Sequence, residues 1–422
     1  MGDKRILLIG TYDTKDPEMR YIEECITAQG GKVLTMDVSV LGDPTTPTDI
    51  SKDDVAAASG MTIEEVIAQG DENKAFRVMS SGAAAVVTKA YAEGRFDAML
   101  ATGGTMGTDL ALDCAQTLPM GVPKYIVSTV SFSPLIPPHR LAPDVQMILW
   151  AGGLYGMNSV CRSSLSQAAG AVLGAARAVE APGRDRPMIG MTSLGSSCLR
   201  YMKTLKPALE KRGFEVAVFH STGMGGMAFE KLAGEGAFCC VMDFCMQEFA
   251  NMLAGSLVSS GEDRLTNAGF SGIPQMVAPG ALDLLDFAGW QEIPERFKDR
   301  PFHEHNRLIK SAVFNAEERR AAIAEMATRL KEAKGPVHFF LPTGGIEEWD
   351  REGREAHDPE ALTATVEAAR ELWPAVAPTT VVDAHINDAA FVEAVLKQFD
   401  AWVDEGIVVR GDSTTAFVGS AK

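Results

Sequence analysis

Three loops in this chain join an apolar run to a helical pattern through glycines and hydroxyls. The densest is His220-Ser221-Thr222-Gly223-Met224-Gly225-Gly226. An apolar, β-rich run (214–219) enters it and a helix-like run (227–232) leaves it. Strand, glycine-rich turn and helix N-terminus in that order present free backbone N–H groups and the positive end of a helix dipole, which suits an anion. Glycine permits positive φ and close approach of a ligand to the backbone. Gly223, Gly225 and Gly226 are therefore candidate binding positions, with the closest approach expected at Gly225 and Gly226. Gly10-Thr11-Tyr12-Asp13-Thr14-Lys15 follows the apolar run 5–10, and Thr102-Gly103-Gly104-Thr105-Met106-Gly107-Thr108 follows 97–101. A fourth, hydroxyl-rich loop begins at Ser128 and Thr129.

These loops suit a phosphate. Lys15 could neutralise it, with the hydroxyls of Thr11, Thr14, Thr105, Thr108, Ser128 and Thr129 adding hydrogen bonds. Asp13 could hold Mg²⁺ or a ribose hydroxyl, or cap the helix that follows. Asp37, closing the run 32–38, sits where a ribose-binding acid would stand. The P-loop spacing of glycines with G-K-[ST] is absent.

Acid–base chemistry points to histidine, which titrates near neutrality. His220, His305 and His385 each stand at a strand end or in a motif loop. Asp383-x-His385 and His303-x-His305 have the i, i+2 spacing that puts both members on one strand face. The catalytic candidates are His220, His305, Asp383 and His385. Glu230 and Glu248 are candidate partners, or surface acids. A Zn²⁺ or Mn²⁺ site from these histidines is the lesser reading, because no dense ligand motif exists, and no metal ligand is assigned. Cys198 and Cys245 read as packed thiols.

The elements that must position these groups alternate. Strand-like runs at 5–10, 32–38, 97–101, 125–128 and 145–150 are separated by helical patterns at about 17–29, 72–92, 110–117 and 158–179. Thr62-Ile63-Glu64-Glu65 has capping-box spacing. A Pro/Gly/charge linker, 181–187, precedes a second series: strands at 188–193, 214–219, 238–244, 274–278, 337–341 and 380–384, with helices to 212 and at about 248–258, 316–332, 359–372 and 389–404. The expected fold is α/β: two domains, each an open, mostly parallel sheet with helices on both faces. Residues 1–183 form the nucleotide-binding domain, 184–409 the second, and 410–422 a flexible tail. Ligands of such sheets gather beyond the carboxyl ends of the strands, here expected in an interdomain cleft.

Composition narrows the function. The 422 residues carry 39 Lys+Arg against 56 Asp+Glu, a net charge of −17. That argues against nucleic-acid and anionic-membrane partners. No apolar run is long enough to span a bilayer. Seven cysteines without a C-x-x-C pair fit a reduced, cytoplasmic protein. A homo-oligomer is the expected assembly.

Taken together, the motifs resemble the Tm-1-like, or UPF0261, family. In the first half these are Gly10 to Lys15, Val122-Pro123-Lys124 and Val127-Ser128-Thr129-Val130. In the second half they are Phe219 to Met227, Gly272-Ile273-Pro274-Gln275, Ala278-Pro279-Gly280-Ala281-Leu282-Asp283, His305-Asn306 and His385-Ile386-Asn387-Asp388. The resemblance covers about residues 5–400. It implies two α/β domains and a nucleotide-binding first half. The family's plant member binds ATP and inhibits viral RNA replication, so ATP is the implied ligand, and Mg²⁺ is the ion that Asp13 could hold with it. The expected function is a nucleotide- or phosphate-binding enzyme acting on a small anionic metabolite. The alternatives are a non-catalytic ATP-binding regulatory module and a metal-assisted lyase or hydrolase of sugar-acid type.

Overall fold

The computed structural model describes residues 3–180 and 185–412. Residues 181–184 of the expected linker and 413–422 of the expected tail lie outside the described residues. The chain divides into two compact units, Met1–Pro182 and Gly183–Lys422.

The first unit runs β1 (Arg5–Gly10), α1 (Tyr12–Ala28), β2 (Lys32–Asp37), α2 (Lys52–Ala58), α3 (Ile63–Ile67), α4 (Glu72–Ala92), β3 (Ala98–Gly103), α5 (Thr105–Thr117), β4 (Lys124–Ser128), β5 (Gln146–Leu149) and α6 (Ser159–Ala178). Its strands form one parallel sheet in the order β2-β1-β3-β4-β5. Alternate residues of β1 feed opposite cores, as the two-residue period of a strand requires. Leu7 and Ile9 pack with α4 and α5, while Ile6 and Leu8 pack with α1 and α6. Thr62 caps α3 in the expected box with Glu65.

The second unit runs β6 (Met188–Ser193), α7 (Arg200–Lys211), β7 (Glu215–His220), α8 (Met224–Gly234), β8 (Cys240–Cys245), α9 (Gln247–Ala254), α10 (Asn267–Phe270), β9 (Gln275–Gly280), β10 (Leu284–Ala288), β11 (Phe302–Glu304), β12 (Ile309–Val313), α11 (Ala316–Leu330), β13 (Val337–Pro342), α12 (Pro359–Leu372), β14 (Thr379–Val382) and α13 (Ala389–Asp404). Six strands form a parallel sheet, β14-β13-β9-β8-β6-β7. Helices α7 and α13 cover one face, and α9, α11 and α12 pack on the other. In both units the chain turns from one side of the first strand to the other, between β1 and β3 and between β6 and β8. Those switch points are where open α/β sheets bind ligands.

The structure departs from the sequence expectations in three places. A small antiparallel sheet, β10-β12-β11, lies in residues that gave no strand signal; its strands are short and carry Asp286, His303 and Lys310. Helices α5 and α8 begin at Thr105 and Met224, so Thr105, Gly107, Gly225 and Gly226 belong to first helical turns, not to loops. Helix α1 begins at Tyr12 and breaks at Lys15 (φ −124°, ψ 17°), ahead of Pro17.

Candidate functional site

The carboxyl ends of β6, β7 and β8 carry a cavity of 310 Å³. His220 ends β7 and Thr222 follows it; Leu194 to Ser197 form the turn after β6; Gln247 opens α9 after β8. The antiparallel sheet closes the space with Asp286, Ile309 and Ser311, together with His305 and Asn306, and Trp349 completes the wall.

Asp286 is the buried acid of this cavity. Its Oδ1 accepts from Ser311 Oγ at 2.6 Å, and its Oδ2 from Gln247 Nε2 at 2.7 Å. Burial pushes its carboxyl up to about 6, against the hydrogen bond from Ser311 and the nearby His305. His220 Nδ1 stands 3.4 Å from Ser193 O, which places the proton on Nδ1 and leaves Nε2 open. His303 stacks on Trp349 at 3.8 Å, and burial lowers its affinity for a proton.

The four catalytic candidates do not converge. His220 and His305 line the cavity. His385 is 2% exposed and fully bonded. Its Nε2 donates to Glu347 O at 2.8 Å and to Asp350 Oδ1 at 3.1 Å, while Nδ1 accepts from Asn387 N–H at 3.0 Å. Both ring nitrogens serve the fold. Asp383 follows β14 and accepts from Thr343 Oγ1 at 3.0 Å; neither it nor His385 lines the cavity.

The glycine cluster has an internal explanation. Gly223 takes φ +91°, and its N–H donates to Glu248 Oε2 at 2.9 Å; the Gly226 N–H donates to the same oxygen at 3.1 Å. The N-terminus of α8 thus already holds an anion, the Glu248 carboxylate. A Cβ on Gly226 would collide with that carboxylate, 2.6 Å from Oε2 and closer still to Oε1, and one on Gly225 would strike the His220 carbonyl group, 2.6 Å from its carbon. The expectation that these glycines admit a ligand is corrected: they admit Glu248 and the His220 backbone.

Glu248 is not a surface acid either. Its Oε1 accepts from Arg264 Nε at 2.9 Å. Arg264, fully buried, also grips Asp243 with both terminal nitrogens and reaches Glu230 Oε1 at 3.2 Å. Burial pushes both Glu230 and Glu248 up to about 7, held back by Arg264. Neither glutamate partners a histidine.

In the first unit a cavity of 590 Å³ lies at the carboxyl ends of β1, β2 and β3. Of the expected ligand residues, Thr11, Asp13, Thr14 and Gly107 line it. Asp13 Oδ1 is buried without a hydrogen-bond partner. Helix α5 starts at Thr105 with no side chain capping it, and the space at its N-cap, Gly104, is open, the nearest atom being Thr129 Oγ1 at 3.9 Å. Other expected ligands have internal roles. Thr108 and Ser128 are buried and bond each other at 2.6 Å. Gly10 admits Met19, and Gly103 admits the first turn of α5. Asp37 is 1% exposed, accepts at Oδ1 from the Tyr12 and Ser39 N–H groups at 3.1 and 2.9 Å, and does not line the cavity. Lys15 lies with Nζ 4.4 Å from the centre of the Tyr155 ring and does not line the cavity.

Residues 4–181 match the N-terminal domain, and residues 186–403 the C-terminal domain, of the uncharacterised protein family UPF0261. The chain belongs to the UPF0261 family. It is 53% identical over 408 residues to a UPF0261 protein of Brucella melitensis, covering 97% of this chain and 98% of that one. It is 28% identical to the tomato ToMV resistance protein Tm-1, covering 94% of this chain and 55% of that protein. Among solved structures it is similar to Acinetobacter baumannii MurG at 11% identity, covering 96% of this chain and 92% of that one, with a TM-score of 0.20, too low to inform on function.

Sequence reasoning about this UPF0261 chain missed Asp286, Gln247, Ser311 and Trp349. One signal was present. Asp286 interrupts the apolar run Leu284–Ala288, and an acid inside a buried strand must be paired or functional.

Proposed function

We propose that this chain is an enzyme that moves protons on a small polar metabolite held in the second-unit cavity. We further propose that its first unit binds a nucleotide or another phosphate ligand at the carboxyl ends of β1 and β3. The observation that carries the first half is the placement of Asp286, His220 and His305 around one cavity. A carboxyl pushed up to about 6 is mostly ionised at neutrality yet still a competent base. His220, with Nε2 open, can take or return a proton at a second position. Two kinds of titrating group in one site are what abstraction at one atom and donation at another require.

The first-unit residues fit ATP with Mg²⁺ in two respects. The uncapped start of α5 offers N–H groups and a positive dipole end to a phosphate. The unpartnered Asp13 Oδ1 suits a ribose hydroxyl or Mg²⁺. The lining also holds Asp71 and Glu72 and no Lys or Arg, so Mg²⁺ would supply the charge that a polyphosphate needs there.

The test incubates the full chain with a small-metabolite extract, with and without ATP and Mg²⁺, and follows masses. Wild-type turnover that disappears in Asp286→Asn and in His305→Gln supports the enzyme reading. Turnover undiminished in both variants sinks this site. No turnover at all, together with a melting temperature raised by ATP and Mg²⁺, leaves the non-catalytic binding module.

A further inference from the structure

The second-unit cavity has a polarity that selects its ligand. Its lining contains no lysine and no arginine; the titrating groups are Asp286, His220 and His305. Two buried acceptors belong to its lining. Gln247 is 3% exposed, and its Nε2 donates to Asp286 Oδ2 at 2.7 Å. That bond fixes the amide, because the reverse orientation would set a carbonyl oxygen against a carboxylate. Gln247 Oε1 is then left buried with no hydrogen-bond partner. A buried acceptor in that state is costly until a donor arrives. Beside it stands the carboxylate of Asp286, also an acceptor while ionised.

A phosphate or carboxylate brings acceptors only. In this cavity it would face Gln247 Oε1 and Asp286 with no lysine or arginine to offset them. A hydroxyl brings the missing donor, and its own oxygen can accept from the Asn306 amide or a histidine, the Ser311 proton being already given to Asp286. The wall supplies the other half of the selection. Trp349, held by His303 on one face, lines the cavity together with Ile309. An aromatic ring of this kind takes the C–H face of a saturated ring or chain.

We propose that this cavity binds a neutral polyhydroxylated molecule of the monosaccharide or polyol class, one hydroxyl donating to Gln247 Oε1 and the carbon face lying against Trp349. This rests on the proton-transfer reading of the same cavity and names its substrate class. A volume of 310 Å³ suits one such unit. The hydroxyl that reaches Gln247 Oε1 also comes beside Asp286, the group proposed as base.

The test is a titration of the full chain, labelled in its histidine rings and read by NMR. The probes are pentoses, hexoses and their alditols, each beside its aldonate and its sugar phosphate. At least one neutral compound is expected to shift His220 or His305 saturably. Its anionic counterparts should bind at least tenfold more weakly. Its Kd should rise at least tenfold in Gln247→Ala and in Trp349→Ala, the second variant standing in if loss of the buried Gln247 impairs folding. Tighter binding of an aldonate or sugar phosphate at the same histidines would overturn the neutral class while leaving the proton-transfer site in place. Wild-type affinity in both variants, or no response to any neutral compound, would overturn the proposal outright. Failure of the proton-transfer reading is separate: turnover that survives Asp286→Asn.

Discussion

Gly226→Ala should unfold the second unit more readily without touching any ligand. In an exposed helix this change is stabilising by ~0.5–1 kcal/mol. Gly174 of α6, with nothing within 4 Å of an added Cβ, is the control, and Gly174→Ala should show that gain in the first unit. At Gly226 the Cβ lands on the Glu248 carboxylate, 2.6 Å from Oε2 and nearer to Oε1 and Cδ. The carboxylate must retreat by about an ångström to reach ordinary contact. That retreat breaks the bonds from Gly223 N–H, Gly226 N–H and Arg264 Nε, now 2.9, 3.1 and 2.9 Å long. Hydrogen bonds to charged groups contribute about 1.5–3 kcal/mol each, and an ion pair broken in the interior costs about 3–5 kcal/mol. Partial survival of the three bonds gives an expected loss of about 3 kcal/mol. The assay is urea unfolding followed by a probe in the second unit, since two units need not unfold together. A midpoint for Gly226→Ala equal to wild type, with the Gly174→Ala control behaving as expected, would refute the claim that α8 is anchored by Glu248.

Glu230 and Glu248, both raised from 4.5 to about 7, bind protons between about pH 4.5 and 7 that the unfolded chain has released, and Glu248 is the full anion at the start of α8 only above about 7. Their contribution is full below about pH 4.5 and is lost as pH rises through about 7, so urea titrations of the second unit should show about 5 kcal/mol less stability at pH 8 than at pH 5, each group giving about half; a flat or rising profile sinks the assignment. Asp286→Asn should lower turnover of the proposed substrate about 10²–10⁴-fold while shifting the second unit's stability by no more than about 1 kcal/mol. Wild-type turnover should rise as pH passes through about 6, the value to which burial pushes Asp286, and a profile without that step would remove Asp286 as the base. Ser128→Ala leaves the Val130 N–H and the Thr108 hydroxyl without their partner, which should cost about 1–3 kcal/mol in the first unit. ATP affinity by calorimetry should stay within about twofold, as expected of a buried internal contact; a tenfold loss would return Ser128 to the ligand site.

The sheets were legible because the parallel strands are short apolar runs, and β1, β3, β4, β6 and β9 are closed by glycine or serine. Burial on both faces demands that pattern. The starts of α5 and α8 were not legible, for one shared reason. Gly107, Gly225 and Gly226 have low intrinsic helix propensity, yet each sits in a first turn that must lie against a strand end or a carboxylate. There packing overrides propensity. The antiparallel sheet escaped because β11 has only three residues, and β10 and β12 place Asp286 and Lys310 where apolar residues would announce a strand.

The site was half legible, and the missing half has a physical cause. Motif position alone marked His220 and His305, which do line the cavity, and His385, which does not. His220 ends a strand and His305 and His385 stand in polar loops, and sequence spacing cannot tell which of these groups already bond a neighbour. His385 is closed off by Glu347, Asp350 and Asn387, the first two nearly forty residues away in the chain. The three glycines of the opening loop were a sound sign of an anion at a helix N-terminus. The anion proved to be Glu248, within the same protein. Gln247 shows the converse. Its neighbours Cys245 and Glu248 drew the expectation instead, and Gln247 matters because its N–H side is bonded to Asp286 while its oxygen is not bonded at all. What a cavity can bind is fixed by the donors and acceptors left over once the protein has satisfied its own, and that remainder belongs to the folded network, not to any stretch of the chain.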